Sequence, residues 1–175
     1  MQSARHKNIR VPVVFGEVLF DCFPDGAAVI GGAPFNVAWH LQAFGLSPLM
    51  ISSVGEDELG QQVRDAMSGW QMDTRGLQTD SEHPTGSVKI EFIDGEPHYT
   101  IVEHRAYDYI DRARLPAIET ASVLYHGTLA LRNRPSREAL EDLRKGLDAM
   151  VLLDVNLRDP WWRKEDVLAC ADAAD

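Results

Sequence analysis

The chain has 175 residues, 45% hydrophobic and 25% charged, with a formal net charge of −10. That balance fits one globular domain, or one with a small appendage, and excludes a disordered chain. The acidic excess argues against nucleic acid or an anionic membrane as partner, and Cys22 and Cys170 form no spaced framework, which points to a reducing, cytoplasmic setting.

VPVVFGEVLFDCF (11–23) reads as an opening strand, apolar before Glu17 and Asp21. It is too short and too polar to span a membrane, and no cleavage signal flanks it. GGAPFNVAWHLQAFG (31–45) predicts a helix with Pro34 in its first turn and Gly45 at its end. Phe35, Ala38, Leu41 and Phe44 recur at helical spacing and predict its core face. A strand over 48–55 and a helix near 57–69 follow, the latter with Leu59, Val63 and Met67 on one side. This β–α–β–α rhythm predicts a parallel sheet with crossover helices.

The rhythm then breaks. TGSVKIEFIDGEPHYTIVEH (85–104) alternates apolar and polar residues around Asp94-Gly95, which predicts a hairpin. Strand 122–131, a helix near 135–149, strand 151–156 and a last helix resume the first pattern. A hairpin inserted in such a sheet suggests a lid that closes over a ligand.

Three places attract attention as a site, each with an ordinary alternative. Gly31 and Gly32 let backbone approach a ligand, and Asn36 offers a donor and an acceptor to hydroxyls, unless this is only a tight turn and helix cap. Asp21, read as the carboxyl end of strand one, suits a polyol, unless it is an exposed loop residue. Asp154, Asn156 and Arg158 in DVNLRDPWW follow a strand end and point to the same crevice, or form a surface loop anchored by Trp161 and Trp162. His98, His104 and Glu103 lack metal-ligand spacing, His126 reads as a core or strand-end histidine, and His40 falls on a polar helix face. None of the four lysines completes a phosphate loop.

GEVLFD, GGAPFNVAWHLQAFG with VGEDELGQQVR, and DVNLRDPWW together resemble the ribokinase-like (PfkB) carbohydrate kinases, closest to the fructokinase branch, across essentially the whole chain. The resemblance implies a Rossmann-like α/β parallel sheet with flanking helices and a small antiparallel β lid, built from 85–104 and part of 20–30. It implies ATP-dependent phosphorylation of a sugar hydroxyl, with Mg²⁺. By position, Asp21 and Asn36 would bind sugar hydroxyls, Gly31 and Gly32 would form the sugar-facing wall, and Asn156 and Arg158 would lie near the sugar and the phosphate path. Fructokinases commonly carry an arginine five residues before the aspartate after the lid. Here that place, before Asp108, holds Glu103, with Arg105 beside it.

The family's Gly-Ala-Gly-Asp motif, which supplies the catalytic base and anion hole, and its nucleotide pocket belong to a second half that this sequence does not contain. The expectation is therefore an N-terminal, sugar-binding part with no catalytic residue of its own and an incomplete C-terminal side. Two other readings stay open: a non-catalytic sugar-binding module, or homodimer, that pairs through the lid, and a kinase of a sugar acid or a nucleoside.

Overall fold

The computed structural model describes residues 10–175. Valine-rich β1 (Val11–Phe15) is the centre of a five-stranded parallel sheet. β4 (Leu49–Gly55) and β8 (Ala121–His126) flank it, with β5 (Leu77–Asp80) and β9 (Met150–Leu153) at the edges. β1 is apolar throughout and β4 is buried along its whole length, Ser52 and Ser53 included, because both of their faces are covered.

One face carries α1 (Ala33–Ala43) and α2 (Glu58–Gly69), whose Phe35, Ala38, Val63 and Met67 pack with Val14, Met50 and Val54. The other carries α3 (Arg134–Gly146), whose Ala139, Leu140 and Leu143 pack with Val13, Phe15, Ile51 and Leu124. A last helix, α4 (Lys164–Ala171), reaches that second cluster through Cys170. None of the described helices is long and apolar enough to cross a membrane.

The second sheet gathers the segments expected to form the lid. Its four strands run β3 (Ala28–Gly31), β2 (Leu19–Cys22), β6 (Gly86–Ile93) and β7 (Glu96–Ile101). The hairpin turns at Asp94 and Gly95, both at positive φ, as an Asp-Gly turn requires. The lid is mixed rather than antiparallel, because β2 and β6 run parallel.

Several expectations are corrected. The stretch 11–23 is two strands in two sheets, since the chain turns at Gly16 and leaves the main sheet. Asp21 thus lies within a lid strand and does not end strand one. Phe44 is 80% exposed, because α1 stops at Ala43 and Gly45 closes it with an N–H bond to the Gln42 carbonyl. The strand expected over 122–131 ends at His126, and Leu129–Arg132 form a 3₁₀ turn. The strand expected over 151–156 ends at Leu153, which frees Asp154 and Asn156 for the following loop. The four-residue strands β3 and β5 were not expected.

Candidate functional site

The entrance to α1 is built on backbone contact. Gly32 holds φ at +105°, and a Cβ there would lie 2.6 Å from the Glu17 carbonyl oxygen, so only glycine fits. Gly31, its neighbour on β3, lies beside Asp21: a Cβ on Gly31 would stand 3.1 Å from Asp21 Oδ2. Asp21 itself faces Val29 on β3 and Val88 on β6 across the lid. Partial burial raises the pKa of its carboxyl, and the positive charge of Arg158 works against that rise.

Three of the expected residues therefore adjoin, Asp21 beside Gly31 and Gly32 next along the chain, and the charge of Arg158 acts on the Asp21 carboxyl. Asn36 is exposed in the first turn of α1, and its N–H bonds the Gly32 carbonyl at 2.9 Å. Asn156 sits two residues before Arg158 and is half-buried, its carbonyl 3.4 Å from the Thr128 hydroxyl. The other two lie at the lid's return. Glu103 is exposed, 3.9 Å from His104, and its charge acts on Arg132. Arg105 is half-buried and acts on Asp57 and Tyr107, while its N–H bonds Asp108 Oδ2 at 3.0 Å.

Beneath this wall lie groups that sequence patterning missed. Glu17 is only 3% exposed and its Oε2 has no hydrogen-bond partner. Burial pushes its carboxyl up to about 7, against the pull of its own N–H and that of Ala33, with Asp154 adding to the rise. Asp154, which the sequence did single out, accepts the Tyr125 hydroxyl at 2.8 Å. Arg132 and Asp108 form a buried ion pair with Nε–Oδ1 at 2.7 Å. Glu17 resembled an ordinary polar interruption of a strand; the one available signal was its lone charge between two apolar runs. Arg132 gave no signal, because its partner lies 24 residues away.

His126 is fully buried at the end of β8, with Nδ1 donating to the Gly127 carbonyl at 2.9 Å. It is a core, strand-end histidine, as read, but its Nε2 has no partner, and burial lowers its pKa. Among the described residues, no group of three or more His, Cys, Asp or Glu side chains could hold a metal ion.

A five-stranded parallel sheet with helices on both faces and a mixed four-stranded sheet beside it is an α/β architecture of the kind that binds ligands at the carboxyl ends of its strands. The particular family follows from comparison: residues 23–175 match the model described as pfkB family carbohydrate kinase, and the chain belongs to that family. Fructokinase from Vibrio cholerae O395 superposes with a TM-score of 0.86 at 25% identity, covering 95% of this chain and 62% of that one. An uncharacterized sugar kinase from Pyrococcus horikoshii, solved in complex with ATP, gives 0.81 at 27% identity, over 93% and 59% of the two chains. Aminoimidazole riboside kinase of Salmonella typhimurium is 30% identical over 140-odd residues, that is, 78% of this chain and 44% of that protein. The chain thus spans about half the length of the curated relatives it matches.

Proposed function

We propose that this chain supplies the sugar-binding part of an ATP-dependent carbohydrate kinase of fructokinase type. The observation that carries the reading is Asp21 Oδ2 set beside the bare backbone of Gly31, with the Arg158 charge acting on the same carboxyl, from three separate stretches of sequence. An ionised carboxylate accepts two or more hydroxyl hydrogen bonds, bare glycine backbone allows a ring to lie close, and Asn36 adds a donor and an acceptor. Asn156 and Arg158 would stand on the side from which a phosphoryl group arrives. Glu103 and Arg105 are placed at the rim by the same reading.

ATP would supply the phosphoryl group and Mg²⁺ would neutralise its charge in such a reaction. In this reading the residues of this chain bind and orient the sugar, and the base and the nucleotide site come from elsewhere in the complete enzyme.

Calorimetric titration with D-fructose, a nucleoside and 2-keto-3-deoxygluconate tests the reading. Fructose binding with the other two silent supports it. Preference for the nucleoside or the sugar acid moves the chain to another branch, and silence for all three removes the sugar site.

A second reading, pairing of two copies through the lid, is favoured by one observation. Val29, Phe92 and Tyr99 stand 54%, 58% and 64% exposed on the lid, an apolar patch that invites cover.

A further inference from the structure

Arg132 touches more of the site's parts than any role in sugar binding requires. Its side chain is 5% exposed and that of Asp108 is fully buried. The guanidinium grips Asp108 with two bonds, Nε to Oδ1 and Nη2 to Oδ2, both 2.7 Å. Nη2 also lies 2.8 Å from the Val102 carbonyl and 3.0 Å from the Tyr107 hydroxyl. Its Cζ lies over two rings, 4.6 Å from the centroid of Trp161 and 5.3 Å from that of Tyr107.

The contacts come from three segments: Val102 at the end of the lid, the 3₁₀ turn holding Tyr107 and Asp108, and the loop holding Trp161. Val102 is the first residue after β7, and its N–H bonds the Ser87 carbonyl of β6, so it is the lid's return. Asp108 also holds the Arg105 N–H, at the turn where the lid rejoins the body. Trp161 belongs to the loop after β9, and its N–H bonds the Arg158 carbonyl at 2.7 Å. Arg158 in turn acts on Asp21, back on the lid. Leu19, Val88, Ile101 and Trp161 share one small cluster with Tyr107, Leu129 and Ala130, which seals the same junction.

We infer that Arg132 is a positioning residue that couples the lid to the loop carrying Asn156 and Arg158, so that these two segments move as one. Its consequence for ligand binding rests on the sugar-site reading above; the mechanical coupling does not. A guanidinium suits this task because its planar fork bonds a carboxylate at its edge and stacks on an indole with its face at once. A lysine keeps the charge and loses both geometries.

Hydrogen exchange on Arg132→Lys tests the coupling. Amides of the lid's return (102–105) and of the loop (155–161) should exchange together, about tenfold faster than in wild type, with β1 and β4 unchanged. A merely structural arginine would raise exchange everywhere or only near itself. Because Asp108 is buried and could fail to tolerate the change, Trp161→Leu is the second variant, since it leaves the ion pair intact. It should loosen the loop and also the lid's return, and in its background Arg132→Lys should add little to loop exchange. Purely local effects in either variant, or additive effects in the pair, would overturn the proposal. D-Fructose calorimetry separates the two readings. Affinity lost tenfold or more in Arg132→Lys, with melting retained, supports the coupling as a functional device, and unchanged affinity refutes that. A wild-type chain that binds no fructose refutes the fructokinase reading, and exchange alone then decides the coupling.

Discussion

Asp57 accepts both the backbone N–H of Thr85, at 2.8 Å, and its hydroxyl, at 2.6 Å, across 28 residues of sequence. The same carboxylate caps α2 through the Gly60 N–H at 2.7 Å, and the Thr85 hydroxyl also takes the Gly55 N–H. One side chain thus fastens the start of β6, and so the base of the lid, to the first turn of α2. Asp57→Ala should cost about 1–2 kcal/mol in denaturant unfolding, the usual worth of a helix cap, with the pinning of Thr85 lost besides.

The same carboxylate predicts acid sensitivity. Burial alone would raise its pKa, but the bonds from Thr85 and Gly60 outweigh burial and hold it below the ordinary value of 3.8. A depressed carboxyl stabilises the fold above that ordinary value and stops doing so as pH falls through the folded one. Melting temperature should drop below about pH 4, and more gently in Asp57→Asn.

Glu17 predicts the opposite slope at higher pH. With its carboxyl raised by burial from 4.5 to about 7, the folded chain holds a proton that the unfolded chain has released. Stability should therefore fall as pH rises from 4.5 towards 7 and stay low above, by up to about 3 kcal/mol. Thermal melts of Glu17→Gln should lose this dependence and exceed wild type at pH 8. Parallel pH profiles for the two proteins would place the proton elsewhere.

The two glycines of the wall should separate fold from function. Gly32→Ala meets the Glu17 carbonyl oxygen at 2.6 Å and a strained φ, so it should destabilise by about 1–3 kcal/mol. Gly31→Ala meets the movable Asp21 carboxylate at 3.1 Å and, at ordinary contact distance, Leu19 Cδ1 at 3.9 Å. It should melt close to wild type while weakening ligand binding at Asp21.

Lid pairing predicts a mass set by apolar contact. Light scattering at increasing concentration should show a dimer that Tyr99→Lys and Phe92→Asp abolish. A monomer at every concentration would end the second reading.

What was legible in the sequence was whatever local chemistry dictates. Pro34 and Gly45 bracket α1, Asp94-Gly95 turns the hairpin, and the apolar spacing of Val63 and Met67 marks the buried side of α2. The strands β3 and β5 escaped because AVIG and LQTD are short and carry no clear alternation. The break at Gly16 escaped because both sides of it read as apolar strand, and only the fold sends them to different sheets. At the site, glycines and polar residues at strand and helix ends were visible as types in a pattern. Glu17 and the Asp108–Arg132 pair were not, since burial and pairing across long sequence separations leave no local trace.

The most direct measurement is calorimetric binding of D-fructose to the wild-type chain and to Asp21→Ala. The sugar-crevice account predicts binding to the wild type and a loss of tenfold or more in the variant, since a hydrogen bond to a charged group contributes about 1.5–3 kcal/mol. Equal affinities for the two proteins, with both folded, would contradict it.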